Sequence, residues 1–108
     1  MNAWTRNIVM IRDFYTCQNC GKTPSAYGLQ IAHRIKQGKG SEKYIKSWLE
    51  KKGYDWTAKQ IRDSIIDHPL NVCCACSLAC NDAMNIFFKP EAVEELLNKI
   101  MDDLNNPF

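Results

Sequence analysis

Two close cysteine pairs constrain the fold of this 108-residue chain more than any other feature. The first pair is Cys17 and Cys20, and the second is Cys76 and Cys80. A tetrahedral metal site needs four ligands, and each close pair allows two sulfurs to reach the same ion. The spacing therefore predicts a structural zinc ion that ties two distant parts of a small domain together.

Two other interpretations of the six cysteines stay open from the sequence. Cys73 and Cys76 have the commoner two-residue gap and could be the second ligand pair, although this choice leaves Cys80 and Asn81 unexplained. Three disulfide bonds are the other alternative, but we expect no secretion signal and hence a reducing compartment, which favours thiolate ligands. Cys73 and Cys74 are predicted to be small buried apolar residues.

Length and hydropathy predict one domain over residues 1–108 that stays out of the membrane. A chain of this size supports a single modest core. None of its stretches approaches the roughly 18 to 20 apolar residues that span a bilayer. We therefore expect a soluble protein of the cytoplasm.

The charges of the chain are unevenly distributed, although the net charge is only +2. Residues 34–62 carry nine Lys or Arg against three Asp or Glu, whereas residues 63–108 carry two against eight. A concentration of basic side chains favours contact with the phosphates of a nucleic acid. The predicted contact residues are Arg34, Lys36, Lys39 and Lys43.

Helical and strand periodicities alternate along the chain and predict an α+β fold. Between the two predicted strands, residues 34–70 form a basic helical insertion. The predicted elements, in chain order, are a helix at 3–15 begun by Asn2, a strand at 29–35, two helices between 41 and 66 that follow Ser41 and Thr57, a strand at 71–75, a helix from 77 to 86 or 87, and a C-terminal helix at 90–105.

The order of these residues resembles the HNH endonucleases, which are nucleases built on a strand–strand–helix metal motif. The resemblance rests on residues 11–21, 32–35, 69–72 and 76–81, and it covers roughly residues 4–88. A single Cys-x-x-Cys is a weak signal, whereas cysteine pair, histidine, asparagine, cysteine pair and asparagine in this order are more specific. The resemblance implies an HNH-type ββα-metal core with a structural zinc and flanking helices.

This resemblance implies roles for three polar residues. His33 falls on the general base that activates the attacking water, and Asn71 on the asparagine that orients the base and holds its loop. Asn81 falls on the third position, as a ligand of a catalytic divalent ion. A neutral imidazole takes a proton near pH 7, and an amide oxygen suits Mg²⁺ or Mn²⁺. The ion is expected to contact the scissile phosphate and stabilise the leaving oxygen.

One departure from the family pattern bears on the catalytic metal. Many members have Asp or His directly before the base histidine as a second metal ligand, and this chain has Ala32 there. An alanine side chain offers no ligand atom. The candidates to complete the metal shell are His68, Asp67 and Asp82.

Two further departures concern register and spacing. If the register moves by one residue, His33 becomes the ligand and Arg34 takes the base position, where a guanidinium cannot abstract a proton. We prefer His33 as the base. The gap between Cys76 and Cys80 is one residue longer than the usual family knuckle, but residues i and i+4 share one face of a helix.

The sequence therefore predicts metal-dependent hydrolysis of DNA phosphodiester bonds, in a protein similar to small phage-encoded or restriction-associated family members. The alternative, favoured by Ala32, is a non-catalytic zinc-stabilised module that binds nucleic acid or a protein. A redox-sensing thiol protein is a third interpretation, for which Cys73 and Cys74 are the only support. The apolar residues 86–88 predict either core packing or an interface with a second copy or a partner protein.

Overall fold

The computed structural model describes residues 1–24 and 28–106, and it confirms the α+β class with a small antiparallel sheet among helices. A π-helical turn at Arg62–Ile66 extends α3, and a 3₁₀ turn at Pro69–Asn71 leads into β2. None of the described helices is long and apolar enough to cross a membrane. The elements are α1 (Ala3–Arg12), β1 (Gln30–His33), α2 (Lys39–Lys51), α3 (Ala58–Ile61), β2 (Val72–Ala75), α4 (Leu78–Ala83) and α5 (Pro90–Asn105).

The two strands, which the helical insertion separates in sequence, form an antiparallel hairpin with α1 on one face and α4 on the other. Ile31 of β1 packs in a cluster with Val9 of α1. The next residue, Ala32, packs in a separate cluster with Met84 at the end of α4. Because successive strand side chains alternate between faces, His33 lies on the α1 face. The paired residues are Gln30 with Ala75, Ile31 with Cys74, Ala32 with Cys73 and His33 with Val72.

The end of α1 covers the outer edge of β2. Asp13 Oδ2 accepts a hydrogen bond of 2.9 Å from the Cys74 N–H, and Arg12 donates one of 2.7 Å to the Val72 carbonyl. The Gln18 N–H donates to the Cys74 carbonyl over 2.9 Å. These bonds satisfy an edge strand that would otherwise expose its backbone, and they bring the first cysteine pair next to β2.

The larger core lies among α2, α3 and α5, outside the hairpin. Thr57 begins α3 with a capping box, in which its side chain and that of Gln60 each accept a backbone hydrogen bond from the other residue. The apolar stripe of α5 is buried, so this helix packs the core. The fully enclosed residues of this core are Ile35, Ile45, Leu49, Ile61, Ile65, Ile66, Val93, Leu97 and Ile100.

Helix α1 is shorter than the predicted range of 3–15. The Asn2 side chain accepts a hydrogen bond of 2.8 Å from the Thr5 N–H, which confirms the predicted cap. At the other end, Phe14 and Tyr15 have φ angles of 55° and 51°. This left-handed backbone cannot continue a right-handed helix, so α1 ends at Arg12.

Two other helix ends differ from the prediction. α2 begins at Lys39, and Ser41 is buried inside the helix instead of preceding it. α4 ends at Ala83, before the predicted 86 or 87, because the chain turns back to the loop after β1. There the Ile86 N–H donates a hydrogen bond of 2.8 Å to the Arg34 carbonyl.

Residues 86–88 differ in their burial. Ile86 is buried in the larger core, and Phe87 packs against it. The Phe87 ring also meets the Tyr44 ring edge-on, with 6.1 Å between centroids. Phe88 is 85% exposed and contacts the edge of Phe87 only from outside the core.

Candidate functional site

Four cysteine sulfurs meet beyond the end of β2, all within 4.8 Å of one another. The Cys20 and Cys76 sulfurs are 3.4 Å apart, and those of Cys76 and Cys80 are 3.7 Å apart. Cys17 is the fourth member and is buried. Four thiols at this separation could hold one metal ion, as the spacing of the two pairs predicted.

Local backbone structure holds both pairs in place. In the first pair, the Cys17 N–H donates to the Lys22 carbonyl and the Gly21 N–H donates to the Cys17 carbonyl, over 2.8 and 2.9 Å. Gly21 has a φ of 80°, which a glycine adopts without steric cost. In the second pair, Ser77 caps α4 by accepting from the Cys80 N–H at 3.1 Å. The four cysteines thus lie on a tight turn and at the beginning of a helix.

The thiols of this cluster differ in acidity. Burial raises the pKa of Cys17, but hydrogen bonds from the N–H groups of Cys20, Asn19 and Cys76 outweigh it and bring the pKa to about 6. The hydrogen bond to Cys20 is the main cause that raises the pKa of Cys76 to about 12. Asn19 donates to the Cys80 sulfur over 3.4 Å, which lowers the pKa of that thiol. A cation at the centre would take the place of the shared protons.

Cys73 and Cys74 lie outside the cluster. Their sulfurs contact the sulfurs of Met84 and Met10, at 3.3 and 3.4 Å respectively, and both cysteines are buried as predicted. Burial raises the pKa of both thiols, that of Cys74 to about 11. The alternative ligand pair of Cys73 with Cys76 is therefore wrong, because Cys73 points into the sheet–α4 contact. All six cysteines are free, and the Cys73 and Cys74 sulfurs lie against methionine sulfurs, so three disulfide bonds do not fit this arrangement.

His33 forms a hydrogen-bonded pair with a carboxylate. Its Nε2 lies 2.9 Å from Asp67 Oδ1, and the Met1 amino group lies 3.4 Å from the other oxygen of this carboxylate. His33 and Arg6 line the same cavity of about 340 Å³. Every buried side-chain nitrogen and oxygen in the described ranges has a hydrogen-bond partner. Within these ranges His33 Nδ1 makes no hydrogen bond, so this atom is not fully buried, and the His33 side chain is 12% exposed.

Asn71 is completely buried and binds backbone groups. Its Nδ2 donates to the carbonyls of Ile35 and Ile66 at 3.0 and 2.8 Å, and its Oδ1 accepts from the Ile35 N–H at 2.8 Å. Its own carbonyl accepts from the Arg34 N–H at 2.7 Å. Asn71 therefore holds the chain that follows His33, and its amide makes no hydrogen bond to the imidazole.

Asn81 faces β1 from the first turns of α4, and its amide oxygen is occupied by an ammonium group. Lys36 Nζ lies 2.7 Å from Asn81 Oδ1 and 3.5 Å from Asp82 Oδ1. The Asn81 Nδ2 donates to Gln30 Oε1 over 3.3 Å. A cationic side chain thus stands among the oxygens that were predicted to bind a divalent ion.

The structure does not bring His33 and Asn81 together. His33 shares the α1 face with Ile31, whereas Asn81 binds Gln30 on the opposite face, where Ala32 is buried. Within residues 1–24 and 28–106, the four cysteines are the only set of three or more His, Cys, Asp or Glu side chains placed to hold a metal ion. The predicted polar residues therefore form two separate sites.

His68 has a structural role that excludes the predicted one in a metal shell. Its Nδ1 accepts a hydrogen bond of 3.0 Å from the Leu70 N–H, and its Nε2 lies 2.8 Å from Asp103 Oδ2. Both ring nitrogens are engaged, so neither offers a lone pair to a metal. The pair with Asp103 holds α5 against the turn before β2.

The positive charge of the basic helical insertion, residues 34–70, is partly neutralised by acidic residues within it. Lys39 and Lys43 are exposed and line a groove between α2 and α3. Arg34 is exposed as well, and in the described part of the chain no carboxylate lies within 4.0 Å of these three cations. The internal pairs are Lys46 with Glu50 and Asp55, Arg62 with Glu42, and Lys59 with Asp63.

Three contacts of the site were not predicted: Asp67 to His33, Lys36 to Asn81, and Arg6 in the His33 cavity. The Lys36 contact had a signal, because positions 30, 32, 34 and 36 share one side of an extended chain. The other two join distant segments and had none. Comparisons with known protein families, curated proteins and solved structures gave no match. What the protein does must therefore be inferred from its own side chains.

Proposed function

We propose that the protein is a zinc-stabilised endonuclease that hydrolyses DNA phosphodiester bonds with His33 as general base. The observation that carries this proposal is the 2.9 Å hydrogen bond between His33 Nε2 and Asp67. A carboxylate that accepts from one ring nitrogen fixes the tautomer and orients the imidazole. Nδ1, which makes no hydrogen bond within the described residues, would then take a proton from an attacking water. The resemblance to the HNH endonucleases supplies the substrate class.

The four-cysteine cluster is proposed as a structural zinc site. Zn²⁺ prefers soft thiolate ligands and binds four of them in a closed tetrahedron. Such a site has no open position for water, so this zinc would stabilise the fold and take no part in hydrolysis. It would join the turn after α1 to the start of α4, which lie on opposite faces of the sheet.

Phosphate binding at the His33 cavity is assigned to Arg6. Arg6 lines this cavity and donates to the Leu29 carbonyl over 3.2 Å, which leaves further guanidinium N–H groups for a ligand. A guanidinium keeps its charge and matches the geometry of a phosphate. Arg34, Lys39 and Lys43 are exposed and would add phosphate contacts elsewhere, Arg34 on the α4 face and the two lysines in the groove between α2 and α3.

The donors around Asn81 suit a divalent ion in chemistry, although they are few. Asn81 and Asp82 offer neutral and anionic oxygens, and Mg²⁺ commonly takes one or two protein oxygens, several waters and a substrate phosphate. These two residues would hold Mg²⁺ or Mn²⁺ on the α4 face, opposite the face of His33, where a bound ion would contact a backbone phosphate of the nucleic acid. Binding would require Lys36 to move away from Asn81.

A second candidate function is a non-catalytic module that binds nucleic acid or a protein. Two observations favour it. Ala32 stands on the α4 face where the family has a metal ligand, and the Lys36 ammonium already satisfies Asn81 and Asp82 without a metal ion. This module would keep the zinc site and the basic surface and lack hydrolysis.

Cleavage of supercoiled plasmid DNA separates the two functions. Zinc-loaded wild-type protein should convert the plasmid to nicked or linear forms with Mg²⁺ or Mn²⁺, and His33→Ala should not. His68→Gln is the matched control, because this second Asp-paired histidine lies outside the proposed site and the variant should still cleave. If wild type binds the plasmid but does not cut it with either metal, the endonuclease proposal is wrong and the binding module stands.

A further inference from the structure

Helix α1 carries an apolar stripe that faces solvent. Trp4, Ile8 and Ile11 recur at positions i, i+4 and i+7 and are 72, 36 and 62% exposed. Val9 and Met10, on the opposite side of the helix, are buried against the sheet. A helix that is apolar on two sides and covered on one presents surface that a soluble protein usually buries.

Phe14 follows directly after this stripe and is 83% exposed. Its φ of 55° is unfavourable for a bulky residue, as is the φ of 51° at Tyr15. Hydrogen bonds from the Phe14 N–H to the Ile11 carbonyl and from the Tyr15 N–H to the Met10 carbonyl, at 3.0 and 2.9 Å, hold this turn. The backbone of this turn therefore holds Phe14 in its exposed position. Unfavourable backbone conformations of this kind are common at functional sites.

The exposed area of these four residues is large enough for a small specific interface. A covered aromatic side chain buries about 150 to 250 Å², so Trp4 and Phe14 with the two isoleucines offer roughly 500 Å². Patches of this size are at the upper end for a monomer and are often functional. Two such patches together bury roughly 1,000 Å², which is about the lower limit for a specific protein–protein interface.

The arrangement of the stripe fits a second copy of the same chain. Ile8 lies near its middle, with Trp4 on one side and Ile11 followed by Phe14 on the other. Two antiparallel copies of α1 related by a two-fold axis would therefore place apolar residues opposite apolar residues along the whole contact. α1 has no acidic residue. The guanidinium of Arg6 binds the Leu29 carbonyl of its own chain, so it is directed away from this contact.

We propose that the α1 stripe, formed by Trp4, Ile8, Ile11 and Phe14, is the interface of a homodimer. The contact buries no unpaired charge, which agrees with the composition of the centre of protein interfaces. The interface is modest in area, so the dimer dissociates on dilution. This inference is independent of the proposed nuclease activity.

The test is the mass of the zinc-loaded full chain across a wide concentration range, measured by sedimentation velocity. Wild type should shift from the 12.4 kDa of one chain toward twice this mass as concentration rises. Ile8→Glu places two like charges close to the two-fold axis and should weaken association at least tenfold, as should Ile11→Glu. Phe88→Glu is the matched control, since Phe88 is about as exposed as Phe14, 85% against 83%, but lies outside the stripe, and this variant should associate like wild type.

Three results would overturn the proposal. Wild type could keep the mass of one chain at the highest concentration reached, or both glutamate variants of the stripe could associate as tightly as wild type. Phe88→Glu could instead abolish association, which would assign the interface to another surface. If wild type is monomeric and Ile8→Glu weakens DNA binding, the stripe contacts nucleic acid and the dimer is excluded.

Discussion

The side chain of Lys36 decides whether a divalent ion can reach Asn81. Its ammonium lies 2.7 Å from the Asn81 amide oxygen and 3.5 Å from the Asp82 carboxylate, at a place suited to a cation. An ion that binds these oxygens must first displace this internal cation, so the observed affinity includes that cost. Lys36 and a divalent ion would thus compete for the same oxygens.

We expect Lys36→Met to bind Mn²⁺ more tightly than wild type, because the competing charge is gone and the oxygens stay. Titration calorimetry with Mn²⁺ on the zinc-loaded protein measures this affinity directly. Lys39→Met is the control, since it removes an equal charge from an exposed site and should bind Mn²⁺ like wild type. Equal Mn²⁺ affinities for wild type and Lys36→Met would show that the ammonium does not guard an ion site.

The buried thiol of Cys74 predicts a loss of stability at alkaline pH. Burial raises its pKa from the ordinary 9.0 to about 11 in the folded chain. As pH rises above 9, the unfolded chain releases this proton and the folded chain keeps it. The free energy of unfolding contributed by this group is therefore complete below pH 9 and falls between pH 9 and about 11.

In Cys74→Ala this contribution is absent, so the free energy of unfolding should decline less steeply with pH over the same range. Urea unfolding at several pH values gives both slopes, and the comparison of slopes removes the constant cost of the smaller side chain. Identical slopes for wild type and Cys74→Ala would mean that this thiol does not titrate differently in the two states.

For the helices and strands, the sequence predicted the local elements well, but it did not predict which face of an element its neighbours bury. The cysteine cluster could be predicted because each pair lies on one short element, where spacing determines geometry. The helical periodicity of Trp4, Ile8 and Ile11 predicted α1, but these residues face solvent and Val9 packs on the sheet. A helix with two apolar sides does not show from its sequence which side its neighbours cover.

The strand pair shows the same limit, because the sequence did not show on which face of the sheet each predicted site residue lies. The order of His33, Asn71 and Asn81 predicted one site, because sequence order shows neither the face of a strand nor the partner of a side chain. In the structure, the strand period of two separates His33 from the face that α4 covers. Asn71 contacts backbone on both sides of the insertion, at Ile35 and Ile66, which no local pattern indicates.

The cysteine cluster predicts that folding depends on a metal ion that joins the turn after α1 to α4. Purified protein should contain about one zinc per chain, and a chelator should unfold it, because the ion holds the turn after α1 against α4. Cys80→Ser should lose zinc and melt at a lower temperature. Cys73→Ala is the control, since Cys73 is buried but lies outside the cluster, and it should keep its zinc.

Metal analysis and thermal melts of these two variants decide the ligand set. Zinc that is retained in Cys80→Ser and lost in Cys73→Ala would reverse the assignment of the ligands. A folded, metal-free wild type would remove the structural role of the site.

For the whole molecule, the position of His33 against Asp67 depends on both cores. His33 belongs to the hairpin, whereas Asp67 follows the π-helical turn of the helical insertion. Asn71 joins these two parts through its buried amide, which donates to the carbonyls of Ile35 and Ile66. The proposed base is thus aligned by contacts that extend through the protein, while the four-cysteine cluster lies where the turn after α1 meets the start of α4.

The measurement that tests the central claim most directly is the rate of DNA cleavage by His33→Ala with and without added imidazole. Loss of the base should slow cleavage on the order of 10²- to 10⁴-fold with DNA binding unchanged. Free imidazole can enter the cavity of about 340 Å³ that His33 lines in the wild-type protein, and it should restore part of the rate. Cleavage by His33→Ala at the wild-type rate would contradict the account.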